Sequence, residues 1–499
     1  MKKRRYQQTL NRQQEMLLPA HVEDYVSQHN GVRAIDAYVN TLDLLALGFK
    51  NTQPVLGAGQ PAYNPDALLK LYLYGYLQGI RSSRKLESEA CRNLEVIWLI
   101  EGLRPSHQTI ADFRKSNSTA LKATHRDFLW LCKELSLFGG EDVAVDGSFF
   151  KADANKAGIY TEDKLNKQLA ALEKKINDYQ QTLAEQDAAD DKADKGSLLE
   201  DKQLADKLKH LQEKQAKKKA LQQQLNASED KQIATVDADA RLLSKRGQTI
   251  AGYNVQIAVD SKHKLIVVED VTQDGNDSQQ LQPLLAKAQE LLQSDKLTGL
   301  ADTGYYQREQ IKGCEDNHIT VYVAIPDKSK RLAKQGRFTL EHFQYDSEKD
   351  NYRCPQGENL NCTGQRQTAD SINYRYRSKV NACKHCPVKQ HCLSEKSKYR
   401  EIERWQHQAV IERHQQRMTQ QPDSMKKRAA LVEHPFGTLK HRAGMHHFLM
   451  RGLDKCRVEF SLMVLAYNFT RVLNILGIDR LREYCVQRSE KAQKIAKYA

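Results

Sequence analysis

Three acidic residues, Asp146, Asp302 and Glu433, stand where their chemistry is conspicuous. Asp146 lies in EDVAVDGSFFKAD, which reads as a buried strand with Val143 and Val145 on one face and Ala144 and Asp146 on the other. A lone buried carboxylate is costly unless it is paired or metal-bound. Asp302 closes the strand KLTGLAD at its carboxyl end, where α/β sheets place their ligands. Glu433 sits in the basic stretch MKKRAALVEHPFGTLKHRAG beside His434. Two carboxylates from adjacent strands and a third from a helix can bracket two divalent ions. Such a pair stabilises the attacking and leaving oxygens of an in-line phosphoryl displacement. Taken singly, each acid reads more simply as a turn or cap residue, and spacing alone does not make them converge.

A second group is Cys354, Cys362, Cys383, Cys386 and Cys392. Cys383-x2-Cys386 has the chelating spacing of a tetrahedral zinc site, with Cys392 close behind and Cys354 upstream. Four thiolates make a closed structural site, which would fold a loop-rich segment with little core of its own. Cys362, His385 and His391 are the alternative ligands. A third group is cationic: Lys426, Lys427, Arg428, Lys440, His441 and Arg442 surround Glu433. Cations around a reactive carboxylate suit a site that holds a phosphate backbone, although a solvated helix face would look similar.

The elements that must carry these groups follow from the 499 residues, enough for about three units. Apolar residues make up 40% and charged residues 28%, so the chain should fold behind a polar surface. With 77 Lys and Arg against 63 Asp and Glu, the net charge is +14, which points to a polyanionic partner, nucleic acid before an anionic membrane. The most apolar stretch, 459–478, is broken by Asn468, Arg471 and Asn474, so no membrane span is expected. The opening MKKRRYQQTLNRQQ has no apolar core for a signal peptide, so the expected compartment is the cytoplasm, with the nucleoid when DNA is bound. There a metal site is a better reading of clustered cysteines than disulfides.

Residues 1–138 read as a helical domain, either a helix-turn-helix type of DNA reader or a plain bundle, with Tyr72, Tyr74 and Tyr76 as packing residues. Residues 139–160 and 233–325 read as a mixed α/β core, with a hairpin turning at Ser261–His263 and Asp277 or Ser278 capping the helix that follows. Between them, 161–232 spaces Leu165, Leu169, Leu172, Ile176 and Tyr179 as a heptad seam, with a weaker seam through Leu204, Leu208, Leu211, Leu221 and Leu225. This is expected to be an antiparallel coiled-coil hairpin, with 14 basic and 15 acidic residues. Residues 326–400 read as a basic, loop-rich insertion with 16 Lys and Arg against 8 Asp and Glu. Residues 401–480 should be helical, with a long helix from near Glu401, another from around Glu433 and a last one packed on the sheet. The tail 481–499 is expected to fray.

VAVDGSFFKA, GLADTGYY and LVEHPFGTLK resemble the three acidic blocks of bacterial insertion-sequence DDE transposases, in the same order. SHQTIADFRK and MVLAYNFTRVL extend the resemblance over most of the chain. One large group of these enzymes has Lys seven positions after the catalytic Glu, as Lys440 follows Glu433. The Tyr and Arg that precede that Glu in the family are absent; Lys426 and Ala429 hold their positions, with Arg428 beside them. The resemblance implies a ribonuclease-H-like core, two Mg²⁺ or Mn²⁺ ions held by Asp146, Asp302 and Glu433, and Lys440 on DNA phosphate. Arg442, Lys426, Lys427 and Arg428 are the further DNA-contact candidates. Similar transposases carry a four-Cys insertion before the Glu helix, which supports structural Zn²⁺ on Cys354, Cys383, Cys386 and Cys392. The expected partners are double-stranded DNA, as transposon ends and target, and further copies of the chain in a homodimer or higher oligomer. A nuclease that cuts without joining, and a catalytically inactive DNA-binding relative, are the competing readings.

Overall fold

The computed structural model describes residues 21–53, 61–190, 198–228, 230–245, 247–326, 336–368 and 371–498. Six helices come first: α1 (Gly31–Val39), α2 (Pro65–Leu77), α3 (Ser83–Arg92), α4 (Leu94–Leu99), α5 (His107–Ser116) and α6 (Ser118–Glu134). Their starts follow cap chemistry. Asn64 accepts from Asp66 N with Pro65 at the first helical position, and Ser106 accepts from Thr109 N. Tyr72, Tyr74 and Tyr76 are all buried.

The central sheet takes β1 (Asp142–Lys151), β4 (Arg241–Lys245), β5 (Gln248–Asp260), β6 (Ile266–Thr272), β7 (Thr298–Ala301) and β8 (Thr320–Val323) in the order β4-β5-β1-β7-β8, with β6 also on β5. β1 runs antiparallel to β5 and parallel to β7, and β7 runs parallel to β8. The faces separate as alternation requires. Val143 and Val145 pack with α9 (Leu281–Leu292) and α10 (Arg308–Asp316), and Ala144 and Phe150 join the opposite core.

Between β1 and β4 rises a helical hairpin, α7 (Glu162–Asp190) and α8 (Leu198–Asn226), closed at its base by the ribbon of β2 (Ile159–Thr161) and β3 (Gln232–Ala234). Lys218 bonds Gln168, and Gln222 bonds Asn166, so the helices run antiparallel. Among the described side chains of the two helices, Leu165, Ile176 and Leu225 are buried, and Leu169, Leu172, Tyr179, Leu208, Leu211 and Leu221 are half-buried. The turn expected at DAADDKADKGS, 187–197, starts later, since α7 continues to Asp190; residues 191–197 and the side chain of Leu204 lie outside the described residues.

Residues 336–405 differ from the loop-rich expectation. They form a five-stranded antiparallel sheet of β9 (Gln344–Asp346), β10 (Asn351–Arg353), β11 (Asn359–Gln367), β12 (Ile372–Arg377) and β13 (Glu401–Trp405). Among the described residues its buried core is Phe343, Tyr352, Leu360, Tyr376 and Ile402, so the hydrophobic signal in the sequence is faint. The long helix expected from Glu401 is corrected too. Glu401–Trp405 pairs with β12, and helix α11 runs Gln408–Gln420. Helix α12 spans Ser424–Gly437, starting well before Glu433, and ends in a π-helical turn at Thr438–Arg442. Helix α13 (Leu453–Leu476) is buried on nearly every side, and the tail expected to fray is helix α14 (Ile478–Tyr498). Among the described residues no single helix is long and apolar enough to cross a membrane.

Candidate metal and phosphate site

β1 and β7 are parallel with Asp142 level with Thr298 and Ala144 level with Leu300. Continued by two residues, that register puts Asp146 level with Asp302, just past the end of β7. Side chains two apart along a strand share a face, so the two carboxylates rise together. Asp302 also caps the short turn Thr303–Tyr305, accepting from Gly304 N at 2.8 Å through Oδ1. The cap reading of this residue is therefore observed.

Between the two carboxylates stands Arg428. Its Nη2 lies 2.6 Å from Asp146 Oδ1 and 3.5 Å from Asp302 Oδ2. Helix α12 packs over β1, β5 and β7, and Arg428 is the cation that it lowers onto the strand ends. Burial pushes the Asp146 carboxyl above its ordinary range; Arg428 pulls it back down, and Asp302 pushes it up again. The Arg428 Nε is buried without a partner, so the guanidinium is only partly satisfied by the two acids. A cation thus already occupies the place where the donor set would take a divalent ion, and the pair of hard oxygens fits one.

Glu433 stands apart from them. It is exposed, and at 3.6 residues per turn it lies about 140° around α12 from Arg428. Leu431, Val432 and Pro435 take the buried side of the helix. Among the described residues no group of three or more His, Cys, Asp or Glu side chains is arranged to hold a metal ion. The structure therefore brings two of the three expected carboxylates together.

The basic candidates divide as well. Arg428 is engaged by carboxylates rather than free for phosphate. Lys427 bonds Asp142 at 2.6 Å, and Lys426 bonds Asp423 at 2.9 Å on the surface. Lys440 Nζ donates to Ser148 Oγ at 2.5 Å and to the Phe149 carbonyl at 2.9 Å, beside the Phe150 ring. Burial, then Lys245, brings its amine down to about 8. Arg442 is exposed, with no side-chain partner among the described residues. His434 bonds the Tyr467 hydroxyl at 3.0 Å, which makes it a packing residue.

Beneath the acids lies a network that the motifs did not show. The buried Tyr305 hydroxyl donates to Gln256 Oε1, and Gln256 Nε2 donates to Asp277 Oδ1 at 2.6 Å. Asn254 Nδ2 donates to the same oxygen at 2.7 Å. Neither Asp277 nor Ser278, the two cap candidates, caps α9: Gln280 is the N-cap residue, and the Asp277 side chain goes to the two amides. The available signal was Gly147: an isolated glycine inside a strand marks a close approach.

In the small sheet, Cys354, Cys383, Cys386 and Cys392 line one cavity of about 50 Å³. Cys383 Sγ lies 3.0 Å from Ser378 Oγ. Cys362 is exposed on β11, with its Sγ turned to the Gly364 carbonyl at 3.8 Å. His391 Nδ1 is 2.7 Å from the Gly336 carbonyl, and His385 is exposed. Glu358, Gln356 and Ser378 line the same cavity beside the four thiols.

Comparison with known proteins adds three findings. Residues 353–473 match the family described as "Transposase DDE domain", and residues 20–116 match "Transposase domain (DUF772)". The first range holds β11–β13, α11, α12 and most of α13, but not β9, Asp146 or Asp302. No curated protein matches the chain. Among solved structures it is similar to one described as the cryo-EM structure of piggyBac transposase synaptic complex with hairpin DNA, at 8% identity over 92% of this chain and 76% of that one, with a TM-score of 0.30. A superposition so loose supports no conclusion about the site.

Proposed function

We propose that the chain is a DDE transposase, supported by its match to a transposase DDE domain over 353–473 and to a second transposase domain over 20–116, and that it cuts DNA at the ends of its transposon and joins those ends to target DNA. The observation that carries this reading is the pair Asp146 and Asp302, level on adjacent parallel strands and sharing one cation. The central sheet, with three antiparallel strands before two parallel ones and helices on both faces, supports a ribonuclease-H-like core. Asp146 and Asp302 would hold Mg²⁺ or Mn²⁺, with Glu433 joining from α12 once that helix presents it. Bound there, two ions would supply an activated oxygen nucleophile and stabilise charge at phosphorus.

The chain's own residues prepare that chemistry. The sheet fixes the spacing of the two acids, and burial shields Asp146 from water. Arg428 neutralises them until a stronger cation arrives. Lys440, anchored on Ser148 two residues beyond Asp146, and exposed Arg442 lie on the continuation of α12, where a phosphate backbone would pass. The four cysteines would hold one Zn²⁺ that stabilises the small sheet, and the α7–α8 arm would act as a coiled coil in assembly on DNA. Double-stranded DNA and further copies of the chain are the partners in this reading.

The test is cleavage and strand transfer on duplex DNA carrying the element's own ends, with Mg²⁺ or Mn²⁺. Asp146→Asn and Asp302→Asn should each reduce both steps by about 10³-fold or more, since the lost stabilisation is several kcal/mol. Binding to the same DNA should change little, because affinity comes from the basic residues. Wild-type strand transfer by either variant would remove that residue from the site.

A further inference from the structure

We infer that Asp277, which forms no metal-holding group with Asp146 and Asp302 while Arg428 stands between those two, is a further acidic residue of this divalent-cation site once an ion replaces the guanidinium, held toward its Asp302 side by two buried amides; the inference rests on the metal-dependent reading above. Asn254 and Gln256 are fully buried on β5, two residues apart and therefore on one face. Gln256 pairs directly with Gly147, the neighbour of Asp146. A Cβ on Gly147 would stand 2.6 Å from Asp277 Oδ1 and 2.4 Å from Gln256 Nε2. Only glycine leaves β1 open enough for the carboxylate to lie on the sheet.

The two amides take one oxygen of Asp277 and leave the other. Oδ1 accepts both N–H bonds, and Oδ2 has no hydrogen-bond partner among the described residues. A Cβ at Gly304 would lie 3.5 Å from Asp277 Oδ2 and 3.0 Å from Asp302 Oδ1. Oxygens of two different aspartates thus approach one point on the turn that follows β7. The only side-chain partners of Asp277 are the two neutral amides, so no cation of the chain compensates it among the described residues.

The support behind Asp277 is directional. The Tyr305 hydroxyl donates to Gln256 Oε1, which fixes the amide so that its N–H₂ faces the carboxylate. Asn254 spends its N–H on the same oxygen while its own Oδ1 stays buried and unpartnered. An unpaired buried carbonyl costs free energy, and a surface loop carboxylate serving only as a turn would not require it. Phenol, amide and carboxylate in series are how an outer shell orients a ligand for a metal. The Tyr305 phenol, pushed up first by burial, also feels Asp277, Asp146 and Asp302 together.

The experiment titrates the full-length chain with Mn²⁺ and counts free Mn²⁺ by electron paramagnetic resonance. Asp277→Asn keeps the shape and an acceptor for both amides, so its melting temperature in chelator should equal that of wild type. Its Mn²⁺ affinity should fall about 10- to 100-fold. Asp277→Glu keeps the charge with altered reach, and should bind more weakly than wild type yet better than Asp277→Asn. Asp302→Asn serves as the reference for the site. Wild-type affinity in Asp277→Asn, with binding lost in Asp302→Asn, overturns the inference and leaves the metal reading intact. Wild-type affinity in both overturns the metal reading and the inference with it. If Asp277→Asn does not fold, wild-type affinity in Asp277→Glu overturns the inference.

Discussion

A guanidinium and a divalent ion compete for the same oxygens at Asp146. Arg428 Nη2 sits 2.6 Å from Asp146 Oδ1, on a side chain largely shielded from water, so the pair is stronger than a surface ion pair. Removing the guanidinium should open the site: Arg428→Ala should bind Mn²⁺ about tenfold more tightly than wild type without DNA. It should also alter the acid limb of binding. Metal needs the carboxylate deprotonated. Burial raises the Asp146 pKa most, Arg428 lowers it, Asp302 raises it again, and the Gly147 N–H and Lys245 lower it less than Arg428 does. Without Arg428 the pKa climbs, so Mn²⁺ binding should be lost at a higher pH in the variant than in wild type as the solution is acidified. Titrations by electron paramagnetic resonance across pH 5–8 measure both effects. An unchanged affinity together with an unchanged acid limb would mean that the guanidinium exerts no control over the site.

Among the elements, the sheet of β9–β13 has the thinnest physical support. Five buried side chains, from Phe343 to Ile402, cannot hold five strands by burial alone. The four cysteines at one cavity are the available staple, and a structural zinc supplies folding free energy directly. Purified chain should carry about one zinc, measured by atomic emission. Cys354→Ser should release it and melt the small sheet, while Cys362→Ser should retain it, because Cys362 faces outward on β11. The opposite pattern would move the ligand set. This sheet also shows where the sequence stops being legible. In INYRYR the alternation is present, but Arg and Asn stand on the outer positions of a small basic domain, and the turn-rich cysteine segments hide the rest. β1, β5, β7 and β8 are apolar and bounded by turns, so their order and the places of Asp146 and Asp302 could be read directly. Asp277 could not, because an acid shortly before a helix looks like a cap, and only the fold shows that two buried amides claim it. The side of α12 that Glu433 occupies was equally hidden. It depends on which residues the helix buries, and those are Leu431, Val432 and Pro435.

At the scale of the molecule, the described N-terminal helices share one apolar core with the C-terminal pair. One apolar cluster runs from α1, α2 and α6 through the outer face of β5 into α13 and α14. Phe469 of α13 stacks on Phe128 with centroids 5.2 Å apart, and meets Tyr38 edge-on at 5.9 Å. A buried ion pair fastens the same junction. Arg81 Nη1 lies 3.3 Å from Glu459 Oε1, and Glu459 also accepts the Leu449 and Met450 N–H groups, leaving it satisfied on every side. Breaking one partner of such a pair costs about 3–5 kcal/mol, comparable to the whole stability of many domains. DNA preference in the helical segment therefore cannot be assigned by cutting it out. Residues 1–138 expressed alone should lack α13, expose the faces of Tyr38, Phe128 and Tyr72, and show no cooperative melt and little amide dispersion in NMR spectra. Adding residues 450–499 as a second chain should restore part of the cooperative transition. A sharp, reversible melt of 1–138 by itself would show that the helices pack without the C-terminal pair, and would return end recognition to an autonomous N-terminal unit.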